Sequence, residues 1–186
     1  MKRLFDLLMV LVAILFSFIP VFFVAIAVLL TSKGPALYWS DRIGVNNKVF
    51  RMPKFRSMKV DTPVVATHLL QDSKRVLTPI GDFLRKSSLD ELPQLWCILK
   101  GEMSFVGPRP ALFNQSDLIA LRKEKGVDKL LPGITGWAQV NGRDELLISE
   151  KAELDEEYMC RQSFLFDLKI LWMTLLKVTK RDNITH

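Results

Sequence analysis

Two neighbouring carboxylates, Asp90 and Glu91, have the residue types and setting for chemistry. They stand in Ser87-Ser88-Leu89-Asp90-Glu91-Leu92-Pro93-Gln94, just after the cations Arg85-Lys86 and shortly before the stiff turn Gly107-Pro108-Arg109-Pro110. Carboxylates set among cations and tight turns point to chemistry on an anionic substrate. Prolines on both sides of Arg109 restrict its backbone, and a fixed guanidinium suits bidentate binding of phosphate. A glycine-rich stretch, Pro132 to Arg143, ends in an Asn-Gly turn, so Asn141 and Arg143 could meet a base or a phosphate, or simply belong to a structural hairpin. The segment Lys48 to Lys59 loosely alternates basic and apolar side chains, as a phosphate-lined strand or a solvated edge would.

The elements that must hold these residues follow from local pattern. Thr78-Pro79 predicts a helix start, Thr as cap and Pro in the first turn, with Arg85 and Lys86 near its end where the helix dipole favours cations. Ser88-x-x-Glu91 reads as a capping box, which by itself would account for Glu91. Pro93 favours a later start with Asp90 as cap, because a proline five residues into a helix removes a hydrogen bond. Either start places both carboxylates at a helix N-terminus, where the dipole keeps them ionised. Leu92, Leu95, Trp96 and Leu99 form the apolar face, and Gly101 ends the helix. Asn46-Asn47 predicts a hairpin turn. Residues 60–75 lack a period and read as a loop; His68 there has no metal-ligating companion. Residues 149–161 predict an acidic helix with Glu153, Asp155, Glu156 and Glu157 on a solvated face. The stretch from Phe164 to Lys180 predicts an apolar, aromatic helix studded with lysines, lying in a membrane surface or packed in the core.

The 186 residues fit one domain, and the net charge of +6 favours phosphate-bearing partners: nucleic acid, anionic lipid or nucleotide. Cys97 and Cys160 form no CxxC motif and read as reduced thiols in a reducing compartment. The run from Leu4 to Leu30 is long enough to span a bilayer and too long for a cleaved signal peptide. Pro20 sits near its middle and deprives the Phe16 carbonyl of its partner, a loss Ser17 could make good. Cations flank both ends, Lys2 and Arg3 before and Lys33 and Arg42 after, so charge gives no direction across the membrane. From these residues a helix that enters and leaves on one face and a kinked single-pass anchor stand level.

The motifs Lys54-Phe55-Arg56-Ser57-Met58, Ser88 to Gln94, Lys100 to Pro110 and Pro132 to Arg143 together resemble the bacterial sugar transferases, the monotopic phosphoglycosyl transferases, in their minimal form. The likeness runs from Arg3 to about Arg181. It implies transfer of a phosphosugar from a UDP-sugar to undecaprenyl phosphate, with UMP as the other product. It also implies Asp90 as nucleophile and a Mg²⁺ ligand, and Glu91 as its partner. Arg56, Arg85, Arg109, Asn141 and Arg143 would bind substrate. The expected fold is α+β and mainly helical. Residues 1–33 would form a re-entrant membrane helix broken at Pro20. Residues 34–186 would form a catalytic domain with short hairpins and a C-terminal interfacial helix. The expected setting is the bacterial inner membrane with the domain facing the cytosol. The partners would be UDP-sugar, undecaprenyl phosphate and membrane lipid, with no nucleic acid, and a homo-oligomer is left open. A membrane-bound nucleotide-sugar hydrolase and a non-catalytic scaffold on anionic lipid are the alternatives.

Overall fold

The computed structural model describes residues 2–63, 73–142 and 145–180. The chain is mainly helical, with two small two-stranded sheets among the described residues. It opens on α1, Lys2–Thr31, the one described helix long and apolar enough to cross a membrane. Strands β1 (Leu37–Ile43) and β2 (Val49–Phe55) pair antiparallel, Leu37 opposite Phe55 and Ile43 opposite Val49. Asn46 and Asn47 turn the hairpin with φ of 54° and 57°, left-handed values that asparagine tolerates. Next come α2 (Gly81–Lys86), a 3₁₀ segment Leu89–Gln94, α3 (Leu95–Lys100) and β3 (Ser104–Val106). Then follow α4 (Ser116–Glu124), β4 (Gly133–Thr135), α5 (Trp137–Asn141), α6 (Ile148–Arg161) and α7 (Phe164–Lys180).

Both ends of α1 are tied to the rest of the chain. At its start Arg3 donates to the carbonyls of Ile98 and Leu99, Asp6 accepts from Ser104 and the Phe105 amide, and Lys2 pairs with Asp167. Val10 is buried with Met52, Leu95 and Ile98, while Val24 and Val28 are buried with Phe55 and Leu84. These positions, with Ile14 and Val21 between them, form one stripe at helical spacing. The opposite face, Leu15, Phe16, Phe18, Ile19, Phe22 and Phe23, is 56 to 75% exposed and wholly apolar. The helix runs through Pro20 unbroken, contrary to expectation, because a proline removes one hydrogen bond and the turns on either side keep theirs. Ser17 donates to Ile14 rather than serving Phe16.

Other expectations are corrected by packing. Thr78 spends its hydroxyl on the Ser57 carbonyl and α2 begins later, at Gly81. The predicted Asn-Gly hairpin is instead α5, and the Asn141 amide turns back to the Trp137 carbonyl. On α6, Asp155 is not solvated: it is 1% exposed and paired with Arg122. Helix α7 packs in the core on one side and leaves apolar residues exposed on the other. Phe166 and Ile170 pack with Val106, Val140 and Tyr158, while Leu165, Leu168 and Trp172 are exposed.

The glycine motifs meet backbone to backbone. Strands β3 and β4 run parallel, and a Cβ on Gly133 would stand 2.2 Å from the Gly107 nitrogen and 2.4 Å from the Thr135 oxygen. Gly133→Ala is therefore expected to cost roughly 3 kcal/mol or more, seen as a lowered thermal midpoint, because the atoms it meets are main chain and cannot turn aside.

Candidate active site

A cavity of about 460 Å³ opens where the hairpin, the 3₁₀ segment, the turn after β3 and helices α4 and α6 converge. Alternation along the strands points Ser40 and Arg42 from β1, and Lys54 and Arg56 from the end of β2, to one side. The 3₁₀ segment supplies Asp90 and Glu91, the proline-flanked turn Arg109, α4 Arg122 and α6 Lys151.

The local fold explains why the acidic pair faces inward. Ser88 is in the left-handed region, φ 56°, and makes no side-chain cap, so the predicted capping box does not form. Glu91 turns instead to two cations: its Oε1 accepts from Lys54 Nζ at 2.8 Å and from Arg109 Nη2 at 2.7 Å. Pro93 falls in the 3₁₀ segment and α3 begins only at Leu95. Both carboxylates thus precede the α-helix rather than open it.

Electrostatics separate the two acids. Burial alone would raise Glu91, but Arg109 and Lys54 outweigh it and hold the carboxyl well below the usual carboxylate range. Asp90, 7% exposed, moves the other way: burial raises it, and Lys54, with Arg109 and Arg85, offsets only part. Lys54 is lowered, chiefly by burial. Arg42 is lowered to about 10, by burial and then by Arg109 beside it. Arg42, Lys54, Arg56, Lys59, Arg85, Arg109, Arg122 and Lys151 give the walls eight cations against two carboxylates, Asp90 and Glu91. Such a surplus in a half-enclosed site suits a ligand carrying several negative charges. The volume lies within the range of small-molecule sites.

Of the residues singled out in the sequence, Asp90, Glu91, Arg56, Arg85 and Arg109 line this one cavity. Asn141 does not, its amide being spent within α5. Arg143, His68 and most of the 60–75 loop lie outside the described residues. Arg42 and Arg122 are cavity residues that local pattern does not reveal. Arg42 follows Ser40 by two on a strand, and Arg122 looks like an ordinary helix-end cation. Lys54 was visible as a basic residue of an alternating strand and of the Lys54-to-Met58 motif, not as the partner of Glu91.

A divalent cation is compatible with the donors present. Mg²⁺ binds through one or two carboxylates together with phosphate oxygens and water. Glu91 is committed to its two cations, and Asp90 is the other carboxylate on the cavity wall. No cluster of three metal-ligating side chains occurs among the described residues, so the fit is to an ion held partly by phosphate.

Known proteins resemble this chain over most of its length. The model of the family described as Bacterial sugar transferase matches residues 1–181. The uncharacterized sugar transferase EpsL of Bacillus subtilis is 40% identical over 184 residues, covering 99% of this chain and 90% of that protein. The UDP-glucose:undecaprenyl-phosphate glucose-1-phosphate transferase of Escherichia coli is 43% identical over 162 residues, covering 83% of this chain and 35% of its own length. The undecaprenyl-phosphate glucose phosphotransferase of Komagataeibacter xylinus is 39% identical, covering 94% of this chain and 35% of that protein. The chain thus spans about a third of these two longer relatives and nearly all of the shorter one. With the acidic pair, the proline-flanked arginine and the glycine stretch all inside the matched region, the chain belongs to the bacterial sugar transferase family.

Proposed function

We propose that the chain is a membrane-bound phosphoglycosyl transferase that moves a phosphosugar from a UDP-sugar to undecaprenyl phosphate. The observation that carries this is the buried Asp90 on the wall of a cavity with eight cations, beside a Glu91 already neutralised by Lys54 and Arg109. The names of the relatives supply the substrate class: two are transferases that use undecaprenyl phosphate.

An Asp90 carboxylate oxygen attacks the sugar-bearing phosphorus. A bond from aspartate oxygen to phosphorus forms, the bond from that phosphorus to the bridging oxygen breaks, and UMP leaves with the electron pair. An oxygen of the lipid phosphate then attacks the same phosphorus, Asp90 is released, and undecaprenyl-diphosphate sugar results. Arg109, with Arg56 and Arg85, offsets charge on the diphosphate, and Glu91 keeps Arg109 aimed. Asp90 is the residue that would hold Mg²⁺; when bound, the ion would neutralise diphosphate charge. We assign Asn141 no contact with substrate.

The membrane arrangement belongs to the same proposal. Polar anchors and buried valines tie the two ends of α1 to one domain, and the face between them is exposed and apolar. An unbroken helix with both ends on the cytosolic face of the inner membrane and the apolar face between them in the lipid satisfies both facts. It keeps the cavity where a lipid phosphate and a soluble nucleotide sugar can both arrive. Tags at the two termini should then both be accessible from the cytosol; opposite-side accessibility would establish a spanning helix.

The deciding experiment incubates membranes carrying the full chain with undecaprenyl phosphate and a panel of UDP-sugars. UMP and lipid-linked diphosphate sugar are the expected products. Release of UDP would overturn the proposal, since it marks ordinary glycosyl transfer. Sustained turnover without lipid phosphate would make the chain a hydrolase.

A further inference from the structure

The turn that aims the Arg109 charge is held through its carbonyls, the first of them Pro108, which accepts from the Gly133 amide at 2.9 Å. Pro108 and Pro110 have no N–H to donate, so the turn cannot be pinned by their amides. Beyond the Gly133 bond, two more of its carbonyls are engaged by arginine side chains. Arg122 Nη1 donates to the Arg109 carbonyl at 2.8 Å, and Arg42 Nη1 donates to the Pro110 carbonyl at 3.1 Å. Arg122 is itself clamped: its Nε and Nη2 meet Asp155 Oδ2 at 2.9 and 2.6 Å. Asp155 is 1% exposed, and its Oδ1 is buried without a hydrogen-bond partner among the described residues.

We propose that Asp155, through Arg122, is a positioning residue for the transfer: it fixes the Arg109 main chain and so the direction from which the Arg109 guanidinium meets Glu91 and the substrate phosphate. This rests on the phosphoglycosyl transfer proposed above. The geometry distinguishes it from a packing role. A buried pair kept only for stability has no need to spend a third arginine nitrogen on the carbonyl of the residue that contacts Glu91. An apolar pair of similar size commonly serves stability as well or better. The guanidinium is suited to the task because its planar fork reaches a carboxylate and a carbonyl at once, which a lysine ammonium cannot do in fixed geometry. Arg122 lines the cavity, yet its guanidinium is occupied, so its part is to hold the turn.

The test separates positioning from folding with two variants of the full chain in membranes. Asp155→Asn removes the clamp and leaves Arg122 without its charge partner. The double variant Arg122→Met with Asp155→Leu removes both charges and restores an apolar packing. In both, UMP release is expected to slow about 10²-fold, with the KM for UDP-sugar within about threefold of the parent. The thermal midpoint should fall only in Asp155→Asn. A double variant that regains both its midpoint and its rate would overturn the proposal, since the pair would then act through stability alone. A second readout needs no turnover. The Nε–H signal of Arg109, identified by its loss in Arg109→Lys, should be sharp and protected in the parent and averaged in both variants. An unchanged signal in Asp155→Asn would also overturn the positioning role. Should the parent release no UMP, the transfer reaction itself fails, while the Arg109 signal still decides the geometry.

Discussion

Asp90→Asn is expected to abolish transfer, lowering UMP release by at least about 10⁴-fold, as loss of a nucleophile does, while making the folded chain more stable. With a UDP-sugar labelled in the sugar and its phosphate, label should appear on the parent protein and be absent from the variant. The gain in stability follows from the sign of the perturbation. Burial raises the Asp90 carboxyl above its ordinary 3.8, so the folded chain holds the proton more tightly than the unfolded chain. Ionisation at neutral pH therefore works against folding. Asparagine has the shape of the neutral acid and removes that cost. The same shift predicts a pH profile: transfer needs the ionised form, so the acid limb of kcat/KM should lie above the ordinary aspartate value. A variant that lost stability, or kept label, would argue that Asp90 is a structural carboxylate.

Glu91→Gln is expected to act in the opposite sense on stability. Glu91 is held below its usual range, so its contribution is present above the unfolded-state pKa and lost as pH falls through the folded one. Glutamine removes the charge at every pH and leaves the half-buried Lys54 and Arg109 beside a neutral amide. Breaking a buried pair from one side costs about 3–5 kcal/mol, or about 10 °C in thermal midpoint for a chain of this size. Activity should fall as well, because Arg109 loses the carboxylate that aims it. Measured at matched folded fraction, the remaining rate separates the two effects. A variant with unchanged midpoint would contradict the ion pairs at 2.8 and 2.7 Å.

These two residues also show how far sequence reaches. Their adjacency, their cationic neighbours and the stiffness around Arg109 are local, and local pattern finds them. Their unlike electrostatics are not local. Lys54 lies 37 residues from Glu91 and Arg109 lies 18 residues away, so only tertiary contact shows which acid is neutralised. The capping box misleads for the same reason: Ser88 and Glu91 have the right spacing, but two cations outcompete a backbone amide for the carboxylate. Asp155 looks like one more acid on a polar helix, and nothing nearby in sequence betrays a partner 33 residues upstream. Strands, by contrast, were legible wherever turn chemistry was strong, as at Asn46-Asn47. The short α5 was missed because an Asn-Gly pair is a hairpin signal only between two strands, and here only one precedes it.

The first turn of α1 carries a consequence for how the molecule is made. Its polar groups find their partners far along the chain: Arg3 at a separation of 95 residues, Asp6 at 98 and Lys2 at 165. During synthesis the apolar helix therefore emerges long before the groups that satisfy its start. Lys2, Arg3 and Asp6 must stay in water until α3, then β3, and last of all α7 arrive. Asp167 is the final anchor, so the apolar helix is locked to the rest of the chain only when the C-terminal helix packs against its start.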